Sequence, residues 1–212
     1  MLKMKNEDKN FLLIIGNSNV GKSSITRLLL PHSKRFKGKA GKRPGSTLQI
    51  KPISQEGMPY NIVDLPGFGY MRHSSRRREE HLKKQIVVHI EKHHARYFFG
   101  LVVINILRIE DELKKYHYLD EETIPLSFEL IGFLREFDIP LLVVINKIDK
   151  LNNFHKRRKI RLFVNTAAQY GINLLHLDDY KHEEDIIPYL EFSALNKTNL
   201  GKLNKVIHYR LS

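Results

Sequence analysis

The run Gly16-Asn17-Ser18-Asn19-Val20-Gly21-Lys22-Ser23 limits this chain more than any other feature. Two glycines enclose four residues and are followed by Lys and Ser, the spacing of a phosphate-binding loop. Phe11-Leu12-Leu13-Ile14-Ile15 before it reads as a buried strand. Ser24-Ile25-Thr26-Arg27-Leu28-Leu29-Leu30 after it opens a helix with an apolar face. A strand that turns into a helix through glycines aims main-chain N–H groups at one point. The helix N-terminus adds partial positive charge there, so phosphate binds. Lys22 can reach the β- and γ-phosphates, and the Ser23 hydroxyl can ligate Mg²⁺. The loop by itself does not separate adenine from guanine nucleotides.

Three further segments make that separation. Asp64-Leu65-Pro66-Gly67 ends the apolar run 60–63. An Asp at the C-terminal end of a strand can hold Mg²⁺ through water, and Gly67 can offer its N–H to a γ-phosphate. Asn146-Lys147-Ile148-Asp149 follows the strand 141–145. Asp149 can accept from both N1 and N2 of guanine, a donor pair that adenine lacks. Asn146 is expected to brace the loop and base, and the Lys147 stem to cover the base plane. Ser193-Ala194-Leu195 follows the strand 189–192 and is expected to aim an N–H at guanine O6. Singly these strings are weak. In this order, each at a strand's C-terminal end, they place one ligand at one edge of an open α/β sheet.

Taken together, the strings Asn19-Val20-Gly21-Lys22-Ser23-Ser24, Arg43-Pro44-Gly45-Ser46-Thr47 and Asp64-Leu65-Pro66-Gly67-Phe68-Gly69-Tyr70 resemble the EngB group of translation-factor-class GTPases. The stretch from Ile124-Pro125 to Asp138-Ile139-Pro140 is similar to its archaeal branch. The resemblance covers about residues 11–208. It implies a Ras-like P-loop GTPase domain with a six-stranded, mostly parallel sheet and helices on both faces. It also implies a GTPase that acts as a slow switch in assembly of the ribosome, in particular its large subunit. The alternative is a guanine-nucleotide-gated RNA- or ribosome-binding module with negligible hydrolysis. The chain departs from the group at Asn105, where relatives often carry Asp, and across residues 108–123.

Phe68 occupies the position where many GTPases place a Gln to orient the attacking water. A phenyl ring makes no such hydrogen bond, so main-chain groups, a cation or a partner must order the water and intrinsic turnover should be slow. The resemblance implies that Asn19 ligates K⁺ against the phosphates. Its other reading is a brace for the loop through its own backbone. Thr47 is the expected Mg²⁺ ligand of the loop that closes over GTP, with Ser46 as the neighbouring alternative. Lys22, Asn19, Thr47 and Gly67 are therefore the expected catalytic positions.

The 212 residues carry a formal net charge of +13, which points to a polyanionic partner, and the resemblance implies that it is ribosomal RNA or a ribosomal particle. The positive charge is clustered at residues 34–43, at Arg72, Arg76, Arg77 and Arg78, and at Lys156, Arg157, Arg158, Lys159 and Arg161. The first two clusters overlap segments that nucleotide state would move, so GTP would gate RNA contact if they bind RNA phosphates; the alternative is a solvated basic surface. Phe36, Tyr70 and Tyr97 are either base-stacking or packing residues. Zero cysteines exclude disulfides and thiolate metal sites and suit a reducing cytoplasm. No apolar run approaches the roughly 20 residues needed to span a bilayer. A monomer without membrane attachment is expected.

Apolar runs alternate with helical patterns, so one α/β domain over residues 11–210 is expected behind a tail at 1–10. Strands are expected near 11–15, 48–53, 60–64, 101–104, 141–145 and 189–192, the second and third as a hairpin. Helices are expected near 22–30, 75–96, 126–137, 156–169 and 199–210, with Gly171 closing the fourth. Residues 108–123 read as a charged, mobile insertion. His89 and His93 lie four apart on the second helix, but nothing nearby completes a metal shell.

Overall fold

A computed structural model describes residues 10–35, 50, 52–67, 76–119, 124–181, 183 and 185–212. Six strands form one sheet, every described ladder of which is parallel: β1 (Phe11–Ile15), β2 (Asn61–Asp64), β3 (Tyr97–Asn105), β4 (Leu141–Asn146), β5 (Asn173–His176) and β6 (Ile186–Glu191). Their order is β2-β1-β3-β4-β6-β5. Neighbours run the same way, so the C-terminal ends of β1, β2, β3, β4 and β6 share one edge. The order reverses beside β1, and the glycine loop leaves the sheet there, where such sheets open a crevice for ligand.

Among the described residues six helices cover the sheet: α1 (Lys22–Leu29), α2 (Arg76–His93), α3 (Ile109–Leu119), α4 (Leu126–Arg135), α5 (Asn153–Gln169) and α6 (Leu200–Leu211). The strand interiors are apolar on both faces, as a doubly covered parallel sheet requires. One core joins Leu13, Ile15, Val102 and Val143 to Leu82, Ile86 and Ile90 of α2, to α4, and to Ile160 and Phe163 of α5. The other joins Leu12, Ile14, Leu101 and Val144 to Ile25 and Leu29 of α1 and to Leu203 and Ile207 of α6. Leu82, Ile86 and Ile90 of α2, Leu126, Leu130 and Leu134 of α4, and Leu203 and Ile207 of α6, four apart in the sequence, form the buried stripes of these helices.

Three expectations need correction. The sixth strand of the sheet is β5, which the sequence reading missed because it is short and only Leu174 within it is buried. β3 starts at Tyr97, four residues before the expected 101, because the aromatic run after Arg96 packs into the sheet instead of extending the helix. Residues 109–119 are not a loose insertion but the helix α3, with Glu110, Asp111 and Glu112 in its first turn and Ile109 buried. Acidic side chains there favour the N-terminal end of a helix, and Ile109 and Leu113 four apart set its inner face.

Of the expected strand 48–53, only the end is described. Ile53 pairs antiparallel with Ile62, donating at 2.7 Å and accepting at 2.9 Å, in the register of a hairpin. Gly171 closes α5 with φ +72°, which a Cβ would disfavour.

Candidate functional site

The phosphate loop folds because its residues tolerate what its path demands. Gly16 leaves β1 with φ +148°, and a Cβ on it would run into the Val103 carbonyl. Gly21 takes φ +105° at the start of α1, and no side chain caps that helix end. Asn19 turns left-handed at φ +61°, a conformation Asn accepts better than most residues. Lys22 is 8% exposed, and its Nζ donates to the carbonyls of Gly16 at 2.9 Å and Asn17 at 2.8 Å. An ammonium has three donors, so one is left for a phosphate. Burial pushes the Lys22 pKa down to about 8, against the opposing pull of Asp64. A buried cation short of countercharge suits an incoming polyphosphate.

At the end of β2, the Ser23 hydroxyl donates to Asp64 Oδ2 at 3.1 Å. A hydroxyl and a carboxylate this close supply the hard oxygens that Mg²⁺ takes. Gly67 lies against the loop, where a Cβ would sit 2.7 Å from both Cα and Oγ of Ser18, and its carbonyl accepts from Ser18 Oγ at 3.4 Å. The Asp64–Gly67 turn and the phosphate loop therefore touch. Thr47, Ser46 and Phe68 lie outside the described residues.

The residues expected to read the base converge from β4 and β6. Asn146 is 1% exposed, donates from Nδ2 to the Val20 carbonyl at 2.8 Å and accepts from the Ala194 N–H at 3.0 Å. One amide thus joins the phosphate loop to the Asn146–Asp149 and Ser193–Leu195 segments. Lys147 takes φ +69°, and its Nζ donates to the Asn19 carbonyl at 2.6 Å, which lays its stem across this end of the site. Burial, then repulsion from Arg108, lowers the Lys147 pKa, with Asp149 acting against them. The Asp149 side chain is 6% exposed; Ser193 Oγ donates to its Oδ1 at 2.6 Å and itself accepts from the Asn196 N–H at 3.0 Å. Ser193 therefore aims the carboxylate, a role that spacing alone does not express. Within the segment Ser193-Ala194-Leu195, expected to aim an N–H at guanine O6, the Ala194 N–H donates to Asn146 Oδ1, and the Leu195 side chain is exposed.

Sequence reasoning missed Glu112 on α3, which accepts from Asn17 Nδ2 of the phosphate loop at 3.2 Å. The signal was the apolar spacing of Ile109 and Leu113 behind an acidic turn. Asn105, where relatives often carry Asp, accepts from the Leu107 N–H at 3.1 Å at the turn into α3, a bond a carboxylate would also accept.

The basic clusters differ in what the structure describes. Residues 36–43 and Arg72 lie outside the described residues, as do the side chains of Arg76–Arg78. On α5, Lys156 pairs with Glu191 at 2.6 Å and Lys159 with Glu110 at 3.0 Å, while Arg157 and Arg161 face solvent. Tyr97 is buried; it packs on Phe11 and shares a hydrogen bond with His89 Nε2 at 2.9 Å, so it is a packing residue. Among the described residues no three His, Asp or Glu side chains cluster to hold a metal, and no helix is long and apolar enough to cross a membrane.

Fold and site define a P-loop GTPase. The sequence family described as 50S ribosome-binding GTPase matches residues 11–147. The chain is 35% identical over 179 residues to a probable GTP-binding protein EngB of Pyrococcus horikoshii, covering 78% of this chain and 79% of that one. It is 32% identical over 147 residues to the corresponding protein of Methanococcus aeolicus, covering 69% of this chain and 61% of that one. A solved structure of a probable GTP-binding protein engB matches with TM-score 0.74 and 28% identity over 95% of this chain and 98% of that one. The elongation factor SelB of Methanococcus maripaludis, bound to a GTP analogue, matches at TM-score 0.56 with 17% identity over 96% of this chain and 34% of that one, a likeness of fold alone. The chain belongs to the EngB family of GTP-binding proteins, with archaeal relatives as its archaeal-type motif implied.

Proposed function

We propose that this chain binds GTP and GDP at the edge described above and hydrolyses GTP slowly, as a switch in assembly of the large ribosomal subunit. The observation that carries the reading is the buried Asp149 carboxylate. Ser193 holds it, and Asn146 ties its segment to a phosphate loop whose lysine is already aimed. A fixed carboxylate rejects adenine, whose edge would leave it unpaired.

Gly16 to Ser24 would cradle the phosphates, with Val20 and Gly21 among the main-chain donors. Lys22 would neutralise developing charge, and Gly67 would offer its N–H to the γ-phosphate. Ser23, Thr47 and Asp64 would hold Mg²⁺, which when bound neutralises charge on the β- and γ-oxygens. Water attacks the γ-phosphorus in line, and the chain's own contribution is placement and electrostatics. Phe68 supplies no hydrogen bond to that water, which supports slow intrinsic turnover. Equilibrium titration of GDP, GTP and ATP into purified protein with magnesium tests the reading; absence of GDP binding refutes it. Single-turnover hydrolysis with and without ribosomal particles separates the slow GTPase from the gated module that Phe68 also suits.

Asn19 is proposed to ligate K⁺ near the phosphates. Its side chain is exposed on a left-handed turn, while its carbonyl is committed to Lys147. Equal turnover in K⁺ and Na⁺, unaltered by Asn19→Ala, removes that role. RNA is the proposed partner, on the strength of the +13 charge and the family description. Co-sedimentation of the GTP and GDP forms with ribosomal particles at fixed salt tests gating, because phosphate contacts weaken steeply with salt. We place the protein in the cytoplasm as a monomer.

A further inference from the structure

From α3, Glu112 touches the phosphate loop and the start of α4 at once. Its Oε2 accepts from Asn17 Nδ2 at 3.2 Å, while Oε1 accepts from the Ser127 N–H at 2.9 Å and the Ser127 hydroxyl at 2.6 Å. α4 begins behind Pro125 with no side-chain cap of its own, so Glu112 supplies the acceptor its first turn lacks. The same carboxylate dictates the Asn17 amide. Only the NH₂ can face it, and Asn17 Oδ1 is left buried without a partner among the described residues. Drying an acceptor is unfavourable, so a contact that tolerates it is specified and not incidental. Meanwhile the Asn17 carbonyl is one of the two oxygens that receive the Lys22 ammonium, at 2.8 Å. Holding the Asn17 side chain from behind fixes the peptide that aims Lys22.

We propose that Glu112 is a positioning residue for the phosphate-binding lysine, acting through Asn17 and rigidly based on α3 and α4. The inference rests on the guanine-nucleotide reading above. The helix α3, within the stretch that the sequence offered as a loose insertion, thereby becomes part of the site's support.

The test compares wild type, Glu112→Ala, Glu112→Gln, Asn17→Ala and Ser127→Ala. Affinities for GDP and GMP are measured by competition, and melting temperature is measured on nucleotide-free protein. GMP lacks the β-phosphate that Lys22 serves, so the GDP-to-GMP affinity ratio reports lysine placement and cancels losses of fold or base pocket. Glu112→Ala and Asn17→Ala should lower this ratio about tenfold, the scale of one charge-assisted hydrogen bond. Ser127→Ala should lower the melting temperature with the ratio unchanged. Glu112→Gln should restore most of the ratio, because its carboxamide can meet a turned Asn17 amide. Asn17→Ala leaves the Glu112–Ser127 contact in place, so it decides the matter even where Glu112→Ala does not fold. An unchanged ratio in Asn17→Ala, or a Glu112→Ala protein that loses melting temperature alone, overturns the inference. Wild type that binds no GDP overturns the nucleotide reading, a separate failure.

Discussion

Gly21 and Asn146 form a coupled pair whose energetics can be worked from the structure. A Cβ on Gly21 would run into Asn146 Nδ2, the atom that donates to the Val20 carbonyl. Gly21 also holds φ +105°, and forcing an L side chain into left-handed backbone costs about 1–2 kcal/mol. Asn146→Ala leaves the Val20 carbonyl and Ala194 N–H without their partner, at about 1–3 kcal/mol for each buried group. Because the Ala194 end is only part-buried, the total should be about 2–4 kcal/mol. Gly21→Ala pays the strain and displaces the same amide, about 3–6 kcal/mol in all. In the double variant the amide is already gone, so only the strain adds to the Asn146→Ala loss. The two single losses should therefore exceed the double by about 2–4 kcal/mol. Urea unfolding of nucleotide-free protein, read through a double-mutant cycle, measures this. Additivity within about 0.5 kcal/mol would show that the amide and the glycine act independently and would refute the reasoning.

Asp149→Asn should shift preference from guanine toward xanthine nucleotides, because the exchanged edge now donates where it accepted; GDP and XDP competition checks it. Ser193→Ala removes the 2.6 Å bond that aims Asp149, and should weaken GDP binding about tenfold with little change in GMP-to-GDP preference. Burial, then the neighbouring His93, holds the His89 pKa down at about 4, below its ordinary 6.5. The unfolded chain takes up that proton first, so the His89 contribution is intact above pH 6.5 and is lost as pH falls toward 4. Wild type should lose about 1–2 kcal/mol more than His89→Gln across that window in urea titrations, the figure being reduced for solvent screening of a half-buried group. Parallel pH profiles would remove His89 as the cause.

The phosphate loop, the Asp64–Gly67 turn and the Asn146–Asp149 string were legible in the sequence because each is local. A glycine that must turn left-handed, or a carboxylate placed right after a strand, states its need within a few residues. The buried stripes of α2, α4 and α6 were legible for the same reason, since a helix repeats its inner face every three or four positions. The short edge strand β5 carried too little apolar signal to announce itself, and α3 was hidden under its charge.

What tertiary structure alone decided lies between segments far apart in the chain. Asn146 reaches Val20, Ser193 reaches Asp149, and Glu112 reaches Asn17, each across more than 40 positions. Such partners are chosen by which strand ends share an edge, and the β2-β1-β3-β4-β6-β5 order sets that. Sequence patterns specify which chemistry each strand end carries. Only the packed sheet fixes which of those groups meet, because a hydrogen bond acts over about 3 Å and no local periodicity encodes that distance.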